Sequence, residues 1–66
     1  MQIVVNGREM TVAAGATLRQ VLDDLGLGEA PVVAEVDGEI VPRENWPRFV
    51  LQPQSRVEVV RFVGGG

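Results

Sequence analysis

The chain has 66 residues, a formal net charge of −3, and no cysteine, histidine, lysine or tyrosine. Those absences exclude a disulfide framework and a thiolate or imidazole metal site, and they leave Ser55, Thr11 and Thr17 as the only hydroxyls for nucleophilic catalysis. Six arginines are interleaved with nine carboxylates, so no basic face is gathered to track nucleic-acid phosphates, and no apolar run exceeds three residues, too short for a membrane helix or a signal-peptide core. The composition points away from an autonomous enzyme and towards a single cytoplasmic domain over residues 1–66, near the lower size limit for folding without staples.

Met1 to Asn6 reads as a strand, with Met1, Ile3 and Val5 on one face and Gln2, Val4 and Asn6 on the other. With the core expected to start at residue 1, no leader is expected. Asn6-Gly7 is a two-residue hairpin signal because both positions tolerate positive φ. The return strand runs roughly from Arg8 to Val12, placing Met10 and Val12 on one face.

Residues 13–16 form a loop into a helix that opens on Thr17-Leu18-Arg19-Gln20, a capping box in which the hydroxyl takes an orphan N–H and Gln20 reaches back. Leu18, Val21, Leu22 and Leu25 recur at i, i+3, i+4 and i+7, one apolar stripe on a helix of about eight residues. Asp23 and Asp24 lie off the stripe and read as a solvated face. Gly26 is the expected stop, with Leu27 supplying the accompanying apolar contact.

Val32 to Val36 is a third strand, Asp37-Gly38 a second hairpin turn, and Glu39-Ile40-Val41 a short return ended by Pro42. Pro42 to Pro53 reads as irregular, with Trp46, Phe49 and Leu51 plugging the open end of the core; ligand stacking is the rival role for Trp46. After a turn at Pro53-Gln54-Ser55, the last strand is expected over Arg56 to Val63, next to the first and parallel to it. Val57 and Val59 then face the core, while Glu58, Val60 and Phe62 face away.

The strand runs directly into Gly64-Gly65-Gly66. Glycine adds nothing to a core, but three in series make a thin, flexible arm about 10 Å long. With Val60 and Phe62 in the open at its base, the arm reads as a functional tail beside a docking surface, against the plainer reading of a frayed terminus.

Met1-Gln2-Ile3-Val4-Val5, the two hairpins around one helix and a closing strand that runs into glycines resemble the ubiquitin-like β-grasp fold. That fold is an α+β architecture with a mixed sheet of four to five strands packed on one helix. More closely, the chain resembles the sulfur carriers of thiamine thiazole synthesis, the ThiS family. The matching residues are the opening strand with Asn6-Gly7, Gly15-Ala16-Thr17-Leu18, Leu22 with Leu25-Gly26-Leu27, Val36 to Arg43, Arg56 to Val60, and the glycines. One departure is Asp37, where the family commonly has asparagine.

The resemblance implies that Gly66 is the reacting residue and that Gly64 and Gly65 keep the tail narrow. A ubiquitin-activating-type adenylating enzyme would use ATP to activate the Gly66 carboxylate. A persulfide sulfur donor would then convert it to a thiocarboxylate, and thiazole synthase would accept the sulfur. Val60, Phe62 and Val63 would bind partners; the chain itself would hold no cofactor and no metal, and would meet neither nucleic acid nor membrane. Two relatives of that reading stay open: a molybdopterin-synthase-type sulfur carrier subunit and a ubiquitin-like protein modifier. A plain interaction module with incidental glycines is the remaining alternative.

Overall fold

We describe residues 1–62 of a computed structural model of the chain. The elements are β1 (Gln2–Val5), β2 (Arg8–Thr11), α1 (Leu18–Asp24), β3 (Val32–Val36), β4 (Glu39–Val41), a 3-10 helix (Arg43–Arg48) and β5 (Arg56–Arg61). The sheet has five strands in the order β2-β1-β5-β3-β4, so the last strand lies in the middle. β5 runs parallel to β1, with Val5 opposite Val57, and antiparallel to β3, with Val33 opposite Val60. A mixed sheet with one helix across it is the β-grasp arrangement.

The expected capping box is present. Thr17 accepts from the Gln20 N–H at 3.2 Å, and the Gln20 side chain accepts from the Thr17 N–H at 2.9 Å, satisfying two of the donors that a helix start leaves open. Leu18, Val21 and Leu22 are buried, as the stripe requires. Leu25 is not: it is the C-cap residue and is 41% exposed. The helix ends in a Schellman turn, with Gly26 at φ +75°, its N–H on the Asp23 carbonyl and the Leu27 N–H on the Leu22 carbonyl. That reversal swings Leu27, rather than Leu25, against the core.

The irregular segment expected after Pro42 carries the 3-10 helix, and Trp46 within it is 1% exposed. The Trp46 indole Nε1–H donates to the Val41 carbonyl at 2.9 Å, which satisfies its one polar atom inside the core. Burial on this scale removes the ligand-stacking reading and confirms the plug, with Leu51 buried and Phe49 packed beside it. The backbone of residues 49–51 clips onto the helix start: Leu18 N–H donates to the Phe49 carbonyl and Leu51 N–H to the Ala16 carbonyl. Ile3, Val57, Ala34 and Val36 complete the core from the sheet.

Both turns adopt the positive φ expected of them, Asn6 at 49° and Asp37 at 50°, but their side chains do different work. The Asn6 side chain extends the β1–β5 ladder beyond the end of β1: its Oδ1 accepts from Val59 N–H at 2.7 Å and its Nδ2 donates to the Val59 carbonyl at 3.2 Å. Asp37 only accepts, from the Arg56 N–H at 2.9 Å. An acceptor oxygen is common to aspartate and asparagine, so the departure at position 37 is neutral in hydrogen bonding. We expect Asn6→Ala to lose both bonds and force a left-handed conformation on alanine, lowering stability by about 2 kcal/mol. Asp37→Asn should stay within about 0.5 kcal/mol of the parent. Urea denaturation of the two variants checks the contrast.

Candidate functional site

The outward face of the sheet is built by the alternation of β5 and β3. Val57 is fully buried and Val59 half-buried on the core side, while Val60 is 58% and Phe62 49% exposed. The observed strand stops at Arg61 rather than Val63, yet the Phe62 N–H still donates to the Pro31 carbonyl at 3.0 Å, keeping it on the rail of β3. Gly64, Gly65 and Gly66, with Val63, lie outside the described residues.

Topology adds a member that the sequence reading did not name. Val33 sits directly opposite Val60 across the β3–β5 pair and is itself 37% exposed. Its outward parity in Val32-Val33-Ala34 was readable, but its place beside Val60 depends on strand order, which no local pattern carries. Val33, Val60 and Phe62 thus form an apolar strip at the end of β5 that leads to the glycines. Ile40, 66% exposed on β4, pairs with Glu35, and Glu35 faces Glu58 across β3 and β5, so carboxylates border the strip.

A separate open groove of about 680 Å³ lies between the β1–β2 hairpin and the end of the helix, lined by Val5, Asn6, Arg8, Glu9, Met10, Leu25 and Leu27. Its charged groups are one arginine and one carboxylate, and none of its lining side chains is a nucleophile. Among the described residues no group of histidine, cysteine, aspartate or glutamate is placed to hold a metal ion. Nor is any described helix long and apolar enough to cross a membrane. The Arg19 guanidinium is held above its ordinary range by its hydrogen bond to Asp23, then by the charges of Asp23 and Glu29; lying part-exposed at the surface, it braces the helix and the loop after it.

The model of the ThiS family matches residues 3–66, nearly the whole chain. The chain belongs to the ThiS family. The ThiS sulfur carrier protein of Escherichia coli is 32% identical over 66 residues, covering all of both chains. A thiazole synthase of Paramagnetospirillum magneticum is 33% identical over the same 66 residues, but there the chain spans only 20% of the relative's length. The crystal structure of the thiamine biosynthesis protein ThiS from Geobacter metallireducens superposes with a TM-score of 0.85 at 32% identity, covering all of both chains. The ubiquitin-like β-grasp of ThiS is therefore the architecture of this chain.

Proposed function

We propose that this chain is a sulfur carrier protein of thiamine biosynthesis, working in the cytoplasm, and that its Gly66 carboxylate is the group that carries sulfur. The observation that carries the reading is the full-length match to a ThiS carrier, joined to a central strand, Arg56–Arg61, that the glycines follow closely in sequence. A carboxylate is a poor electrophile, so sulfur cannot replace its oxygen without prior activation. A ubiquitin-activating-type adenylating enzyme spends ATP to form the acyl-adenylate at Gly66. The terminal sulfur of a persulfide donor displaces AMP to give an acyl disulfide, and reductive cleavage of that S–S bond by a thiol leaves the thiocarboxylate. Thiazole synthase accepts the sulfur, and hydrolysis or transfer returns the carboxylate. The carrier supplies no catalytic group; it is a recycled co-substrate.

The thiazole synthase that contains a ThiS-like segment supports that partner. In this reading the strip of Val33, Val60 and Phe62 serves as the docking face, supported by its exposure and by the closeness in sequence of Phe62 to the glycines. Val63, the next residue in the chain after Phe62, is proposed to bind partners with it. The test of the reading is intact mass. After incubation with adenylating enzyme, ATP, a persulfide donor and a thiol reductant, the mass should rise by the oxygen-to-sulfur difference, and fragmentation should place the change on Gly66. Sulfur located elsewhere, or no change with partners that load another ThiS carrier, would defeat the proposal.

The docking face has its own test. Phe62→Asp places a charge at the tail end of the strip, and interface anchors of this kind cost about 2 kcal/mol or more when lost. Binding to the adenylating enzyme, followed by titration calorimetry, should weaken by at least tenfold, while the melting transition shifts little because Phe62 is half exposed. A large loss of thermal stability instead would show Phe62 to be part of the core.

A further inference from the structure

Arg43 is an exposed residue that joins three parts of the molecule. Its Nη1 donates to the Gly28 carbonyl at 2.6 Å and its Nη2 to the Ala30 carbonyl at 2.5 Å. Its guanidinium carbon lies 4.3 Å from the centre of the Trp46 ring, and Trp46 is fixed in the core by its bond to Val41. One planar cation therefore ties the loop from Gly28 to Pro31 to the largest buried side chain. The other side of the same loop is braced by Arg19, which pairs with Asp23 and Glu29 at 3.0 Å. A Cβ at Gly28 would lie 1.8 Å from Asp23 Oδ1, so a side chain there would push the Asp23 carboxylate out of its place on Arg19.

The braced loop ends at Pro31, whose carbonyl receives the Phe62 N–H, the last backbone bond described before the glycines. We propose that Arg43 is a positioning residue: by holding the Gly28–Pro31 loop it sets where and in which direction the chain leaves the sheet after Phe62. This rests on the carrier reading, because direction matters only if the tail must enter a partner. Two fork-shaped donors in the plane that stacks on the indole are a property of guanidinium. A lysine ammonium offers point contacts and cannot meet both carbonyls and the ring together.

A clamp and a general stabiliser differ in what they move. If Arg43 sets the exit, its loss lowers the fraction of carrier aimed correctly, so KM for the carrier rises while kcat, measured once the tail is engaged, holds. Arg43→Met and Arg43→Lys are compared with the parent by backbone amide exchange and by ATP–pyrophosphate exchange with an adenylating enzyme that accepts another ThiS carrier. The Phe62 amide should exchange about tenfold faster in both variants. The amides of Val4 and Leu51, bonded to Ser55 and Ala16 far from the loop, should be unchanged. KM should rise about tenfold with kcat within about twofold. Equal acceleration at all three amides, or an unchanged Phe62 amide, would overturn the clamp. A faster Phe62 amide with unchanged KM would overturn its role in aiming the tail. Inactivity of the parent itself would count against the carrier reading, with the amide arm still deciding the clamp.

Discussion

On the proposed carrier reading, deletion of Gly66 should lower ATP–pyrophosphate exchange by about a hundredfold or more, although it leaves a carboxylate of the same chemistry on Gly65. The reacting carbonyl then falls short of its site by about 3.5 Å, one residue of extended chain. A displacement of only about 1 Å can already cost on the order of a hundredfold in rate, because the nucleophile and electrophile leave their aligned geometry. Gly66→Ala keeps the reach but adds a methyl and restricts the positive φ values open to glycine, so it is also impaired, by less. Neither change touches the core, so both variants melt within about 0.5 kcal/mol of the parent. Exchange activity and a thermal melt are measured side by side. Full activity in the deletion would mean that the adenylating enzyme does not read the length of the tail.

Trp46→Ala has the opposite profile, a severe loss of stability at a residue far from the chemistry. Trp46 is the largest fully buried side chain, and truncating such a residue costs about 3–5 kcal/mol through lost transfer free energy and the cavity left behind. The bond to Val41 and the stack under Arg43 go with it. A domain of this size has a total stability of roughly 3–10 kcal/mol, so the variant is expected to be largely unfolded at the upper end of that cost. Trp46→Phe keeps most of the packing and loses the indole bond, a cost of about 1–3 kcal/mol. Because Trp46 is the only tryptophan, urea unfolding is followed by far-ultraviolet circular dichroism rather than fluorescence. A loss below about 1 kcal/mol for the alanine variant would show that the 3-10 segment carries little of the core.

The features that could be read without coordinates are those with a local physical cause. Thr17 and Gln20 define a cap within four residues, and Asn6-Gly7 and Asp37-Gly38 need only two positions that accept positive φ. The period of two in β5 put Val57 inside and Val60 outside. Leu25 misled because it continues the helical spacing past the point where the helix stops, and the turn geometry at Gly26 decides which leucine returns to the core. The 3-10 helix was hidden because Pro42 and Pro47 break every α-helical pattern, and a short run of i to i+3 bonds has no apolar period of its own. Val33 and the Asn6–Val59 bonds depend on neighbours far away in the chain, and the latter span 53 residues.

The central place of β5 has a consequence for how the molecule is made. Until Arg56–Arg61 has been synthesised and has left the ribosome, β1–β2 and β3–β4 are two hairpins with no sheet between them, each too small to be stable alone. Closing the sheet needs the pairing of Val4 with Arg56, a contact of long sequence separation that forms late and slowly. A nascent chain interrupted before residue 56 therefore presents no finished face to any partner and is left to proteases. Only a polypeptide that includes β5 acquires a finished sheet, so on the proposed carrier reading the fold itself screens out copies that lack the segment before the glycines.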